Sequence, residues 1–242
     1  MPALLFLLLA AFFPLFAANA QQEPTFPAQK WTFQGVPGSW DKAQILRGYT
    51  VATQVCLACH SFKYFTHRDL MQVGFTESEV KTLAKALNMN IDQPLLTAQD
   101  DETAKATFGK VPPDLSMITK AREGGPDYVY ALLTGFSEDP AEISKTFPQG
   151  MPPNTHFNRA FPGHAIAMPS PLSAPDLVTY SDGTSATIPQ MAKDVTTFLD
   201  FVAEPERTER QRLGVYVLLY LVIFTLLAYV TKRAIWKDVK GH

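Results

Sequence analysis

Cysteine is nearly missing from this chain: its 242 residues hold only two, Cys56 and Cys59. A secreted scaffold stapled by several disulfides is therefore excluded. Charge is thin as well, at 18% of residues, and almost balanced, with 21 Lys and Arg against 23 Asp and Glu for a net −2. A nucleic-acid binder that draws its affinity from phosphate contacts needs a basic excess, and there is none. Glycine, at 13, is outnumbered by proline, at 19, which implies long irregular stretches between helices. No internal repeat and no run of alternating strands is visible. What is present in quantity is apolar: 46% hydrophobic residues rule out a disordered chain, and the length suits one domain with appendages or two small ones.

Long apolar runs occur in two places. The first, Ala3 to Ala18, ends in Ala18-Asn19-Ala20, whose small residues at −3 and −1 suit a secretory signal peptidase. Pro14 interrupts this run and it is short for a membrane span, so a leader over 1–20, cleaved after Ala20, is expected. No Lys or Arg precedes Lys30, so the amino terminus alone supplies its positive charge. The second run, Leu213 to Val230, is 18 residues without a charge. As a helix it covers ~27 Å, close to a bilayer's hydrocarbon thickness. Tyr216, Tyr220, Tyr229 and Trp236 lie where interfacial anchors belong.

Lys232, Arg233, Lys237 and Lys240 follow against Asp238 alone, which places this tail on the cytoplasmic side. Upstream, Arg207, Arg210 and Arg212 weaken the asymmetry, but they alternate with Glu204, Glu206 and Glu209. The expected plan is a leader over 1–20 and an exported periplasmic domain over 21–206. A membrane helix with its lead-in follows over 207–231, then a basic tail over 232–242. Without the tail, 17 basic residues face 22 acidic ones, a balance that suits either the steering of basic partners or ordinary solubility.

Within the exported part, helix signals recur. A helix is expected from Asp41, as N-cap, to Cys59, with Ile45, Val51 and Val55 on its apolar side. Thr76-Glu77-Ser78-Glu79 is a capping box, followed by Val80, Leu83, Ala84 and Leu87 at helical spacing. Pro126 opens a third helix with Val129, Leu132 and Leu133 inward, and Gly135 ends it. A fourth runs from about Gln190 to Ala203, with Met191, Val195, Phe198, Leu199 and Val202 on one stripe and Pro205 closing it. Proline-rich loops at 112–113, 148–153 and 162–175 separate these helices. Loops of that length inside a compact domain usually wrap something.

Cys56-Leu57-Ala58-Cys59-His60 supplies the candidate: C-x-x-C-H is the attachment signature of a c-type haem. On a helical turn i, i+3 and i+4 share a face, so two thioethers and one axial imidazole reach the same porphyrin. A thioredoxin-like pair lacks its strand-turn-helix context and leaves His60 unexplained. A zinc site needs further ligands, and a Cys56–Cys59 disulfide would stabilise little. One covalent haem c held proximally by His60 is the reading that uses every motif residue. For the sixth ligand, methionine suits a high-potential centre. Met151 and Met168, each followed by proline in a loop, stand level on spacing alone, with His67, His156, His164 and His242 as further candidates.

Phe161-Pro162-Gly163-His164-Ala165-Ile166-Ala167-Met168-Pro169 resembles the sixth-ligand region of the cytochrome c1 family, the haem subunits of the cytochrome bc1 complex. Arg47-Gly48-Tyr49, Cys59-His60-Ser61, Val111-Pro112-Pro113-Asp114-Leu115-Ser116 and Ala121-Arg122-Glu123-Gly124-Gly125 are similar too. So are Tyr128 through Gly135, Tyr180-Ser181-Asp182-Gly183-Thr184, Ala192-Lys193-Asp194-Val195 and Ala203-Glu204-Pro205-Glu206 before the anchor. The likeness spans nearly the whole mature chain in order. It implies an all-α, class I cytochrome c-like haem domain with long Pro-rich loops and one C-terminal transmembrane helix. It also implies Met168 as sixth ligand and Arg122 near a haem propionate, with Pro113, Tyr128, Leu132 and Phe161 lining the pocket.

The activity implied is that of a bacterial inner-membrane electron-transfer subunit of quinol–cytochrome c reductase, not catalytic alone. It would take single electrons from a Rieske iron–sulfur protein and pass them to a cytochrome c, in a dimeric complex with cytochrome b and with no nucleic-acid partner. A stand-alone anchored carrier and the haem subunit of a terminal oxidase are the alternatives. The sequence departs from the family pattern over 88–109, which is shorter than in several relatives. The Asp100-Asp101-Glu102 cluster there reads as a solvated loop. Extra cysteines of some bacterial relatives are also absent, so what they brace must be held here by packing.

Overall fold

The computed structural model describes residues 26–35 and 38–237. The expected leader over 1–20 and the end of the basic tail, including Lys240, lie outside the described residues. In chain order the helices are α1 (Lys42–Gln54), α2 (Glu77–Ala86), α3 (Asp101–Phe108), α4 (Gly125–Thr134), α5 (Pro140–Thr146), α6 (Ile188–Ala203) and α7 (Arg207–Lys237). Turns of 3₁₀ helix lie at Cys56–Ala58 and His67–Val73. Two short antiparallel ladders join β1 (Phe62–Thr66) to β2 (Pro94–Leu95) and β3 (His156–Phe157) to β4 (Ala165–Ile166). The class is all-α, and the ladders only tie loops together.

The apolar stripe of α6 sets the centre of the fold. Met191, Val195, Phe198, Leu199 and Val202 are all buried, facing Ile45, Tyr49 and Ala52 of α1. The two helices cross at Gly48, where a Cβ would lie 2.2 Å from the Asp194 carbonyl oxygen and 2.6 Å from Phe198 Cβ. Only a residue without a side chain permits that approach. Arg47, beside it, carries its guanidinium to the fully buried Asp194 carboxylate at 2.9 Å and to Asp182 at 2.6 Å. Gln190 Nε2 also donates to Asp194, so the buried charge is both paired and hydrogen-bonded. The Arg47-Gly48 pair thus locks α1 onto α6. Helix α4 packs on α6 as well, through the buried Tyr128 and Val129.

The capping signals hold. Asp41 accepts from the Gln44 N–H to open α1, and Thr76 and Glu79 exchange bonds to open α2. Three expectations change. The first helix stops at Gln54, and the haem motif sits on a separate 3₁₀ turn after Val55 rather than on one helix reaching Cys59. The acidic cluster is not a loop: Asp100 accepts from the Thr103 N–H and caps α3, whose first turn holds Asp101 and Glu102. Carboxylates there favour helix through the orphan N–H groups and the macrodipole. The last apolar stripe begins at Ile188, with Thr187 as cap and Pro189 in the first turn, earlier than Gln190.

Helix α7 is the one described helix long and apolar enough to cross a membrane. Its apolar side chains from Leu213 to Trp236 are exposed all round, so it is not a core helix of this chain.

Candidate haem site

Cys56 and Cys59 are free thiols on one tight turn, in which the N–H groups of Cys59 and His60 both donate to the Cys56 carbonyl. Burial pushes the Cys56 thiol up to about 12, with Cys59 nearby adding to the effect. His60 has its Nδ1 2.7 Å from the Pro113 carbonyl oxygen. A carbonyl only accepts, so Nδ1 carries the proton and Nε2 keeps its lone pair. Burial draws the imidazole's pKa down, against the opposing pull of the Pro113 bond, and so favours the neutral ring. A histidine fixed in this tautomer is prepared for a metal at Nε2, the usual outer-shell arrangement of a metal-ligating imidazole. Two unpaired thiols and a ring of set tautomer fit a covalently held haem.

The turn is braced on both sides. Ser61 Oγ accepts from Thr97 N–H, and Thr97 Oγ1 donates to the Ala58 carbonyl, tying the motif to the β2 strand end. On the other side Leu115 N–H donates to the Ser61 carbonyl. The Asp114 carboxylate accepts from the N–H groups of Lys63 and Ser116, and Ser116 Oγ from that of Tyr64. The segment 113–116 is therefore held by three residues after the motif, and its Pro113 carbonyl is held with it. That Pro113 acts through its main chain, while its side chain is exposed, was not readable from residue type.

Tyr128 and Leu132 lie on α4, buried and half-buried respectively. Phe26 packs edge-on against Tyr128 with ring centroids 5.1 Å apart. Arg122 stands exposed just before α4, its Nη1 donating to the Ala121 carbonyl. Asp127 is engaged by the Trp31 Nε1–H and the Gln29 N–H.

Met168 follows β4 by two residues and is half-buried, as are Phe161 and Met151. The β3–β4 hairpin that leads to Met168 is fastened by Asn158, which is fully buried. Its side chain donates to the Leu132 carbonyl and accepts from the N–H groups of Ala160 and Phe161. This residue escaped the sequence reading; an Asn opening a turn before Phe161-Pro162-Gly163 was the signal available. Of the rival histidines, His67 is buried against Tyr49, His164 donates from Nδ1 to the Asn158 carbonyl, and His156 is exposed. His242 lies outside the described residues.

A haem-attachment turn on a helical domain that continues into one long apolar helix defines a class, the c-type cytochromes with a membrane anchor. Comparison with known proteins narrows the class: residues 31–239 match the model of the Cytochrome C1 family, and the chain belongs to that family. It is 41% identical over 239 residues to cytochrome c1 of Rhodospirillum rubrum, covering 88% of each chain. The mitochondrial cytochrome c1 haem protein of Kluyveromyces lactis is 39% identical over 235 residues, 89% of this chain and 78% of that one. The cytochrome b/c1 protein of Bradyrhizobium diazoefficiens is 38% identical over 250 residues, 88% of this chain and 36% of that longer one. Membership makes this a haem protein of electron transport, a subunit of the cytochrome bc1 complex.

Proposed function

We propose that this chain relays single electrons within a quinol–cytochrome c oxidoreductase, from a Rieske iron–sulfur protein to a cytochrome c. The observation that carries the reading is the C-x-x-C-H turn with His60 Nδ1–H bonded to the Pro113 carbonyl at 2.7 Å. One haem c, attached through Cys56 and Cys59, supplies the one-electron couple. The chain's residues do the rest. His60 would present Nε2 to the iron, and Met168 would add a thioether ligand, which favours the ferrous form. Arg122 would offer its guanidinium to a propionate, and Tyr128, Leu132, Phe161 and Pro113 would keep water from the ring. Helix α7 holds the domain over 21–206 on the periplasmic face of the inner membrane, with 232–242 in the cytoplasm. Cytochrome b and the Rieske protein are its partners in a dimeric complex.

The test is Met168→Leu in the full membrane complex. The midpoint potential should fall by on the order of 100 mV or more, a fraction of the ~0.8 V that axial ligands span. Reduction of the haem by quinol should stop. An unchanged potential assigns the ligand elsewhere, and purification without cytochrome b and a Rieske protein overturns the partners.

A further inference from the structure

Asn158 sits where two parts of the proposed pocket meet. Every hydrogen-bonding group it owns is used inside the protein. Nδ2 donates to the Leu132 carbonyl at 2.8 Å, and Oδ1 accepts from Ala160 N–H at 2.9 Å and Phe161 N–H at 3.1 Å. Its own N–H donates to the His164 carbonyl at 3.0 Å, and its carbonyl accepts from His164 Nδ1 at 3.1 Å. The neighbouring Arg159 N–H donates to the Gly135 carbonyl. A Cβ at Gly135 would lie 3.1 Å from Asn158 Oδ1, so the helix end is bare where the amide docks.

One buried amide thus joins the C-terminal end of α4, which carries Tyr128 and Leu132, to the turn over 160–164. That turn feeds directly into β4, where Ile166 is buried, and then into Met168. The side chain of His164 stacks on the buried Phe157 with ring centroids 5.8 Å apart, closing the same turn from the other side. No disulfide assists. A buried polar group with both its oxygen and its nitrogen engaged specifies one arrangement of its partners, because a slip leaves donors and acceptors unpaired in a dry place.

We infer that Asn158 is the positioning residue for the sixth ligand: it fixes the distance from α4 to the Met168 thioether and so holds that thioether on the iron. This rests on the proposed ligation by Met168. Without the amide the hairpin remains, but the fraction of molecules with the thioether off the iron rises. An added ligand that competes for the vacated position binds in proportion to that fraction.

The experiment uses the membrane-embedded holoprotein and imidazole as the competing ligand. Asn158→Ala removes all three side-chain bonds. Asn158→Asp keeps the acceptor for Ala160 and Phe161 and loses only the donor to Leu132, and it serves if the first variant does not mature. Either should bind imidazole at least about tenfold more tightly, as expected from leaving one buried group unpaired. The far-red methionine-to-iron absorption band should weaken, while haem remains covalently attached. Gly48→Ala, which strains the α1–α6 crossing away from the hairpin, is the control and should leave imidazole affinity unchanged. Asn158 variants with wild-type affinity and band overturn the inference, and so does an equal shift in Gly48→Ala. Met168→Leu separates the two claims. If it keeps the band, the ligand reading fails; if it loses the band while Asn158 variants keep it, only the role of Asn158 fails.

Discussion

Three polar residues carry much of this structure, and each does so from a buried position. Asp194 and Asn158 find partners for their polar atoms; His67 finds half of its own. The His67 Nε2 shares a 2.8 Å hydrogen bond with the Tyr49 hydroxyl, while Nδ1 has no partner among the described residues. Burial pulls the ring's pKa below its ordinary value, so the folded state resists the proton that the unfolded chain accepts from about pH 6.5 downward. The unfolded state then binds more protons, and stability falls with pH until the folded ring also titrates. Urea titrations of the holoprotein between pH 7.5 and 5 should show this loss. His67→Phe should flatten it, and an equal slope in the variant would assign the acid sensitivity elsewhere. What the sequence could disclose at this scale was local chemistry. Cys56, Cys59 and His60 were legible because their spacing is their mechanism. Asn158 and His67 were not, since burial by distant segments leaves no mark on neighbouring residue types. Pro113 was named from resemblance as a pocket wall, and its carbonyl bond to His60 Nδ1, which any residue there could make, left no mark in residue type.

Elements were legible in proportion to their length and amphipathicity. Helices α2, α4 and α6 announced themselves through caps and an apolar stripe, and each stripe packs on the core. Helices α3 and α5 have one buried residue and none respectively, so no periodicity pointed to them. For α5 the Asp139-Pro140 pair was a start signal without a stripe to follow. The ladder strands β2, β3 and β4 have two residues each, below what alternation can reveal. The break after Gln54 was also hidden, because Val55 and Cys56 continue the helical spacing while packing on the core from a different turn. The α1–α6 crossing gives the prediction that belongs here. In Gly48→Ala the new methyl meets main chain at 2.2 Å, which cannot yield as a flexible side chain would. The two helices must separate, at a cost of about 1–3 kcal/mol or more by the usual penalty of overpacking. Chemical denaturation should show that loss, with the haem signature retained in the folded fraction. A stability within a few tenths of the parent protein would show that the two helices part at little cost.

At the scale of the whole molecule, the junction between the domain and α7 is a built joint. Arg207, the first residue of α7, reaches back to Asp200 at 2.9 Å, a carboxylate whose side chain is only 2% exposed. Its guanidinium also lies over the rings of Phe33 and Trp40, at 5.4 and 5.8 Å from their centroids. Glu204 gathers Lys120 and Arg210 beside it, and Gln211 Nε2 donates to the Gly35 carbonyl. The anchor therefore enters the membrane from a fixed direction, and the lead-in to the span doubles as the last packed turn of the domain. Where the chain is cut should matter more than whether the anchor is present. A soluble form ending at Arg212 keeps Arg207, Arg210 and Gln211; one ending at Glu206 leaves Asp200 buried without its cation. Unpairing a buried charge costs about 3–5 kcal/mol when both partners are dry, and less here because Arg207 is 21% exposed. Both forms should be exported, red and reducible, but the shorter should unfold at lower denaturant, and Asp200→Asn should recover part of the difference. Equal midpoints for the two forms would show that Arg207 guides the anchor without supporting the domain.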